Sequence, residues 1–274
     1  MPDYRQLTST TLNPVTPCTA CGPPPQTCGG NISIPSGATG YYNLDFDAGN
    51  TASDTGAIIV YFNPRGVPDG IRVLYDSVYY NTVTNSSGRI QTTSGVTGAF
   101  TILGNTGQSC MPSSYPNTQS YTFYDGIVNG AWNNTGTTQN ITINQGDYIG
   151  GGISQYNTLV IPKTSATPSI VSIQVLGHCP TGWDVKVSCP AALPSVLATT
   201  AQSTNACNST QNVPVYFAQN YNDTNTAPIV GNFVFTDENG ATPLNNTSTV
   251  YYYITGTTAF SVLNGVVVSS GNCV

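Results

Sequence analysis

Residues 168–189 read PSIVSIQVLGHCPTGWDVKVSC, and the two halves of this stretch decide the fold class. Ile170, Ser172 and Gln174 alternate with Val171, Ile173 and Val175; beyond Gly177-His178-Cys179-Pro180, Val185 and Val187 alternate with Asp184, Lys186 and Ser188. A period of two puts successive side chains on opposite faces of an extended chain, so each half predicts a strand with one apolar face. Similar runs recur upstream: YYNLDFD at 41–47, AIIVYFN at 57–63, IRVLYD at 71–76, SVYYNTV at 77–83, AFTILG at 99–104 and QNITINQGDYIGG at 139–151. Each is rich in β-branched or aromatic residues and is bounded by Gly, Asn, Asp or Pro, the punctuation of strands. No segment has the spacing of an amphipathic helix. Residues 31–190 are therefore expected to form an all-β domain, a β-sandwich or jelly-roll-like unit.

Outward from this domain, residues 1–30 hold Pro14, Pro17 and the run Pro23, Pro24, Pro25. Proline excludes helix and favours extended geometry, which predicts an N-terminal arm, docked on something or disordered. Residues 191–206 lack period-two patterning and are expected to be a linker or a strand crossing between domains. Residues 207–274 contain VPVYFAQN, NFVFTDENG, STVYYYITG and TAFSVLNGVVVSSG, with Asn239-Gly240 as a hairpin signal, and predict a small β-module.

Composition narrows the function. Only 7% of residues are charged, against roughly 25% in an average domain. Neutral amides and hydroxyls must solvate the surface, and salt screens them little. A net charge of −6 and a pI near 4.3 exclude a nucleic-acid partner, which would need a basic patch. No apolar run is long enough to cross a bilayer, so no membrane partner is expected. The start, MPDYRQLTSTTLNP, lacks a signal-peptide pattern, yet the chain has eight cysteines, more typical of an oxidising compartment. A virion protein assembled in the host cytoplasm and released by lysis satisfies both expectations.

Cys207 and Cys273 bracket the small module and are expected to pair, offsetting the weak core of so small a unit. By the same reasoning Cys28 brackets the larger domain with Cys179 or Cys189. The candidate disulfide residues are thus Cys207, Cys273, Cys28 and Cys189. Cys18 and Cys21 form a CTAC motif without the further ligands of a zinc site or the βαβ context of a redox motif.

Catalytic side chains are scarce. His178 is the sole imidazole; Ser172 or Ser188 could approach it, but there is no G-x-S-x-G elbow. Glu238 is the sole glutamate and lies in a turn sequence. The DFDAGN segment, with Asp45, Asp47 and Asn50, lacks calcium-loop spacing. No catalytic residue, metal site or cofactor is assigned. Tyrosine is abundant, and Tyr79, Tyr80, Tyr251 and Tyr253 are candidate glycan contacts, since aromatic faces flanked by amides suit sugars. Strand alternation, however, turns every second such ring inward.

The segment NPRGVPDGIRVLYD, residues 63–76, is expected to be a tight turn at Val67-Pro68-Asp69-Gly70 followed by a strand, with Arg65 and Asp69 flanking the turn as a local ion pair. Its wider context, GYYNLDFDAGNTASDTGAIIVYFNPRGVPDGIRVLYDSVYYNT followed by VLGHCPTGWDVKVSCP, resembles a β-sandwich module. That module recurs in tail-fibre, head-fibre and other virion proteins of tailed bacteriophages infecting Bacteroidetes, and in secreted adhesins of those hosts. GNFVFTDENGATPLNNTSTVYYYITGTTAFSVLNGVVVSSGNC resembles a small repeat module of the same groups. The resemblance implies a non-enzymatic virion structural protein, a tail or host-attachment fibre component first, a head fibre or decoration protein second, a secreted adhesin third. It also implies partners among other virion subunits through the arm, a host-surface glycan, and homo-oligomers, commonly trimers.

Overall fold

In a computed structural model of the chain, residues 23–34, 39–81, 98–104, 109–150, 156–201, 210–244, 249–254 and 258–272 are described, the side chains at 33, 34, 149, 150 and 253 excepted. The strands are β1 (Gln26–Thr27), β2 (Asn31–Ile34), β3 (Gly40–Asp47), β4 (Gly56–Asn63), β5 (Asp69–Tyr75), β6 (Val78–Tyr80) and β7 (Thr101–Gly104). Then follow β8 (Asn117–Val128), β9 (Ala131–Ile143), β10 (Tyr148–Gly150), β11 (Asn157–Lys163), β12 (Ile170–Gly177) and β13 (Trp183–Val187). The chain ends with β14 (Ser195–Ala198), β15 (Val213–Ala218), β16 (Phe233–Phe235), β17 (Val250–Tyr253), β18 (Thr258–Leu263) and β19 (Val266–Asn272).

The described residues form three sheets. The first runs β10-β7-β5-β12-β3-β8-β9, with β1 added on β3 and β6 on β5; the second runs β11-β4-β13-β2; the third runs β14-β15-β16-β19-β18-β17. The fold is all-β and sandwich-like, as the alternation predicts. Val171, Ile173 and Val175 of β12 pack with Leu44 and Phe46 of β3 and Ile71 and Val73 of β5 against Ile58, Val60 and Phe62 of β4, Leu159 and Ile161 of β11, and Val185 and Val187 of β13. All are buried, and the residues between them on β12 are half-exposed.

The second sheet is covered on both faces. Residues of β4 and β11 that point away from the first core, Ala57, Ile59 and Val160, meet Ala218, Phe233, Phe235 and Val266 of the third sheet, with Leu193 between them. This explains why AIIVYF, residues 57–62, shows no polar alternation: a strand covered on both faces has no polar side to show. The opposite face of the third sheet has its own core of Val215, Phe217, Val234, Tyr252, Phe260, Val262 and Val267, and the sheet curls until Ala198 and Ile254 at its two edges form a bridge. The small module is thus a third layer. Within the segment expected as a linker or crossing strand, Ala191 pairs with Ala57 and Ser195–Ala198 enters the third sheet as β14.

A ring of polar and aromatic contacts fixes that layer. Tyr221 lies against Tyr156 in a tilted contact, 3.9 Å between centroids, and meets Tyr61 edge-on at 5.5 Å, with the Lys186 ammonium 5.1 Å from its ring. Tyr61 donates through its hydroxyl to the carbonyl of Gln219 at 3.2 Å. The Asn239-Gly240 turn is wedged in place: a Cβ on Gly240, whose φ is +70, would sit 2.7 Å from Val160 Cγ1. Asp237 organises this turn by accepting from the backbone N–H groups of Asn239, Ala241 and Thr242.

Several expectations need correction. The tight turn in NPRGVPDG lies earlier, at Asn63 to Gly66: Arg65 and Gly66 have φ of 53 and 94, and Asn63 Oδ1 accepts from the Arg65 N–H. An Asx-type bond and a left-handed pair there outcompete the Pro-Asp-Gly signal. Asp69 and Gly70 instead begin β5. The Arg65 guanidinium grips Asp184, across the second sheet, with Nε and Nη2 at 2.7 and 2.6 Å.

Residues 23–30, assigned to the arm, dock on the chain's own sandwich. β1 pairs in parallel with the end of β3, and Pro23 fits against Gly126, where a Cβ would come within 2.6 Å. Cys28 is bonded to Cys189, one of its two expected partners; the other, Cys179, is bonded to Cys110. The Cys207–Cys273 pairing, the CTAC cysteines and residues 1–22 lie outside the described residues.

Candidate functional site

The tyrosines singled out in the sequence are not brought together. Tyr80 is only 6% exposed, its ring in the sandwich core. It therefore cannot stack on a sugar, because alternation along β6 turns Tyr79 outward and Tyr80 inward. Tyr79 is half-buried, with the Arg72 guanidinium 5.1 Å from its ring. That guanidinium is also 4.4 Å from the Phe100 ring, and it donates to Gln174 Oε1 and to the Gly98 carbonyl. Arg72 is thus an internal clamp, and Tyr79 is one of its walls. Tyr251 is half-buried on β17, at the edge of the third sheet, and the Tyr253 side chain lies outside the described residues.

The other ionisable groups of chemical interest sit in a buried polar knot where β12 ends. Asp69 is fully buried; its carboxyl accepts from the backbone N–H groups of Cys179 and His178 and, at 3.4 Å, from the Thr181 hydroxyl, while Oδ1 has no partner. Burial raises its pKa well above the usual carboxylate range. His178, 3% exposed, shares a 2.7 Å hydrogen bond between Nδ1 and the Tyr121 hydroxyl, and burial lowers its pKa.

Neither serine considered as a nucleophile reaches this imidazole. Ser172 Oγ donates to Asp45 at 2.6 Å, and Ser188 Oγ accepts from the Ile59 N–H at 2.8 Å. Asp45 and Asp47 do not converge either, since Asp47 accepts from the Gly49 N–H in its own turn. Among the described residues no group of three or more His, Cys, Asp or Glu is placed to hold a metal ion.

An open concavity lies on the outer face of the first sheet. There Tyr41, Phe100, Ile102, Tyr121, Ile143 and Leu176 form a second apolar cluster, with Tyr115 and Tyr148 at its rim. Between the 111–115 loop and the 145–148 turn is a cavity of about 380 Å³ lined by Met111, Pro112, Tyr115, Gln145 and Tyr148.

Its walls are held from behind. The Cys110–Cys179 disulfide ties the loop to the end of β12, and the Tyr148 hydroxyl donates to the Gly104 carbonyl at 3.0 Å. Burial, with Tyr115 close by, pushes the Tyr148 phenol up to about 12, so it stays neutral. Asp147, at the end of the 3-10 turn, faces inward to that turn and accepts from the Asn144 N–H at 2.7 Å and from its amide at 3.2 Å. The cavity lining is therefore uncharged, with two aromatic rings, a thioether and one amide.

The sequence did not single out these residues. The tyrosine pairs drew attention to strands, where alternation buries half of each pair, whereas Tyr115 stands in a loop and Tyr148 opens β10. The usable signal was Cys110 immediately before Met111-Pro112, a bridged loop carrying an aromatic residue. No family model, curated protein or solved structure matches this chain.

Proposed function

We propose that this chain is a non-enzymatic virion structural protein of a tailed bacteriophage infecting Bacteroidetes, serving in a tail or host-attachment fibre. The observation that carries the reading is how the charged side chains are used. Arg65 holds Asp184 across strands, Arg72 is boxed by aromatic rings, and Lys163 donates to the carbonyls of Ser165 and Ala166. Lys186 lies over Tyr221, and Asp69 is buried in the knot at the end of β12. Each of these groups fastens the scaffold, and the concavity described above is neutral. Such a surface suits a protein that must remain folded outside a cell at variable salt.

The resemblance of residues 40–82, 175–190 and 231–273 to phage fibre modules supports the same reading, and these segments supply strands of all three layers. Residues 1–22 are the part of the arm left to dock on a neighbouring virion subunit, because 23–30 are engaged at home. A fibre repeats its subunits, commonly as trimers, so modest affinity per copy for a host glycan is multiplied by multivalency.

A capsid-surface head fibre or decoration protein is the second reading, favoured by the same arm; a secreted adhesin would need an upstream signal sequence. Peptide mass spectrometry of gradient-purified particles from a phage encoding the chain tests the proposal: a stoichiometric virion component is expected, and its absence from particles would refute it. Incubation of the purified chain with host polysaccharide should leave chain lengths unchanged; shortened products would overturn the non-enzymatic part.

A further inference from the structure

We propose that the cavity lined by Met111, Pro112, Tyr115, Gln145 and Tyr148 is a binding subsite for an uncharged sugar residue of a surface glycan. The inference deepens the attachment role above and rests on it for biological meaning, but it stands on the chemistry of the cavity.

Sugars present C–H faces and hydroxyl edges together. Aromatic rings meet the first and neutral donors and acceptors the second. At about 380 Å³ the cavity is of ligand size, at the lower end of the roughly 300–1,000 Å³ seen for small-molecule clefts. Tyr115 and Tyr148 supply the rings, with their inner surfaces packed on the aromatic cluster behind. Pro112 and Met111 extend the apolar wall. Gln145, exposed on the 3-10 turn, offers both an amide donor and a carbonyl acceptor at the mouth.

The absence of charge in this lining selects the ligand class. An acidic sugar would find no cation among the lining residues, and its carboxylate would lose hydration without compensation. The carboxylate of Asp147, next to the site, would repel it further. A neutral hexose or N-acetylhexosamine meets neither obstacle.

Preorganisation is the second argument. The disulfide behind Met111 and the bond from the Tyr148 hydroxyl to Gly104 fix both walls before any ligand arrives. Side chains already held in place lose little entropy on binding, which matters most for a weak, shallow site. Tyr79 of β6, by contrast, is committed to the Arg72 guanidinium, and Tyr251, on β17 at the edge of the third sheet, is not among the residues that line this cavity.

The test uses the full chain and saturation-transfer NMR with titration. The neutral probes are maltotriose, cellotriose, mannotriose and tri-N-acetylchitotriose; the acidic probes are sialyllactose and trigalacturonate. At least one neutral probe is expected to bind and the acidic probes are not. Tyr115→Ala and Gln145→Ala should each weaken that binding, Tyr115→Ala by about tenfold, which corresponds to roughly 1.4 kcal/mol. Tyr251→Ala should leave it unchanged. Gln145 is exposed on a turn, so its replacement keeps the fold and makes the result interpretable if Tyr115→Ala unfolds the loop.

Binding by no probe, binding only by acidic probes, or neutral binding insensitive to Gln145→Ala and Tyr115→Ala would each overturn the assignment. Such a failure leaves virion membership untouched. Conversely, neutral-sugar binding by a chain absent from particles would sink the phage reading and keep the site.

Discussion

Replacing Cys28 and Cys189 together by serine removes the covalent tie between the turn before β2 and the segment leading into the third layer. The bridge spans 161 residues, of which the inner Cys110–Cys179 bridge bypasses 69. The denatured chain is therefore restrained by a loop of roughly 90 residues, worth roughly 4.6 kcal/mol by the chain-entropy relation and about 2–5 kcal/mol in practice. The backbone contacts beside the bridge, from the Gly29 N–H to the Val187 carbonyl at 2.7 Å and from the Val187 N–H to the Gly30 carbonyl at 3.4 Å, remain in the variant. Nearly all of the loss should thus come from the denatured state.

With a urea dependence of about 3 kcal/mol per molar, the midpoint should fall by about 0.7–1.7 M. Tryptophan fluorescence reports the transition well, because Trp183 is fully buried and Trp132 packs against it at 5.7 Å. A midpoint lowered by less than about 0.3 M, roughly 1 kcal/mol on that slope, would refute the reasoning: the bridge would then be a passive contact and not a restraint on the unfolded chain.

Other outcomes follow from the buried polar knot, the third layer and the arm. Asp69 has a folded-state pKa raised by burial, so its contribution is fully present below the unfolded value of about 3.9 and is lost as pH rises through the folded value. Asp69→Asn should flatten that decline and melt above the wild type at neutral and alkaline pH; parallel pH profiles would contradict this. His178 acts in the opposite sense: its lowered pKa gives stability present above about 6.5 and lost as pH falls. His178→Gln should therefore reduce the acid sensitivity of the melting temperature, and an unchanged acid limb would count against it. Gly240→Ala must place a methyl within 2.7 Å of Val160 at a positive φ, and should destabilise by roughly 1–3 kcal/mol in urea titrations; a neutral effect would mean that the third layer is not seated on β4 and β11.

Much of the fold was legible in local pattern. The alternation in 170–175 and 185–187 marked the core-facing residues of β12 and β13, since Val171, Ile173, Val175, Val185 and Val187 all meet the sandwich core. The layer arrangement was harder to read. AIIVYFN shows no alternation, and a run that is apolar throughout does not say what covers its second face; only the approach of Phe233 and Phe235 reveals it.

Long-range pairings were harder still to read. Cys28 could equally have joined Cys179 or Cys189, and Arg65 finds its carboxylate 119 residues away, on β13. The turn in NPRGVPDG was misplaced because two turn signals stood side by side, and the Asn63 side chain favoured the earlier one. The candidate site was the least visible of all. Met111, Tyr115, Gln145 and Tyr148 come from separate segments, and only the Cys110–Cys179 tie and the folding of β10 beside β7 bring them to one cavity.

The proposed role makes this chain part of an assembled phage particle, placed where it meets the host. Gold-labelled antibody against the purified chain, applied to intact particles and to particles built with residues 1–22 deleted, measures this directly. Label is expected on the tail or its fibres of intact particles and none on particles of the deletion variant, whose purified chain still melts like the full-length protein. Label confined to the capsid would move the chain to a head fibre or decoration role, and no label on any particle would contradict the account.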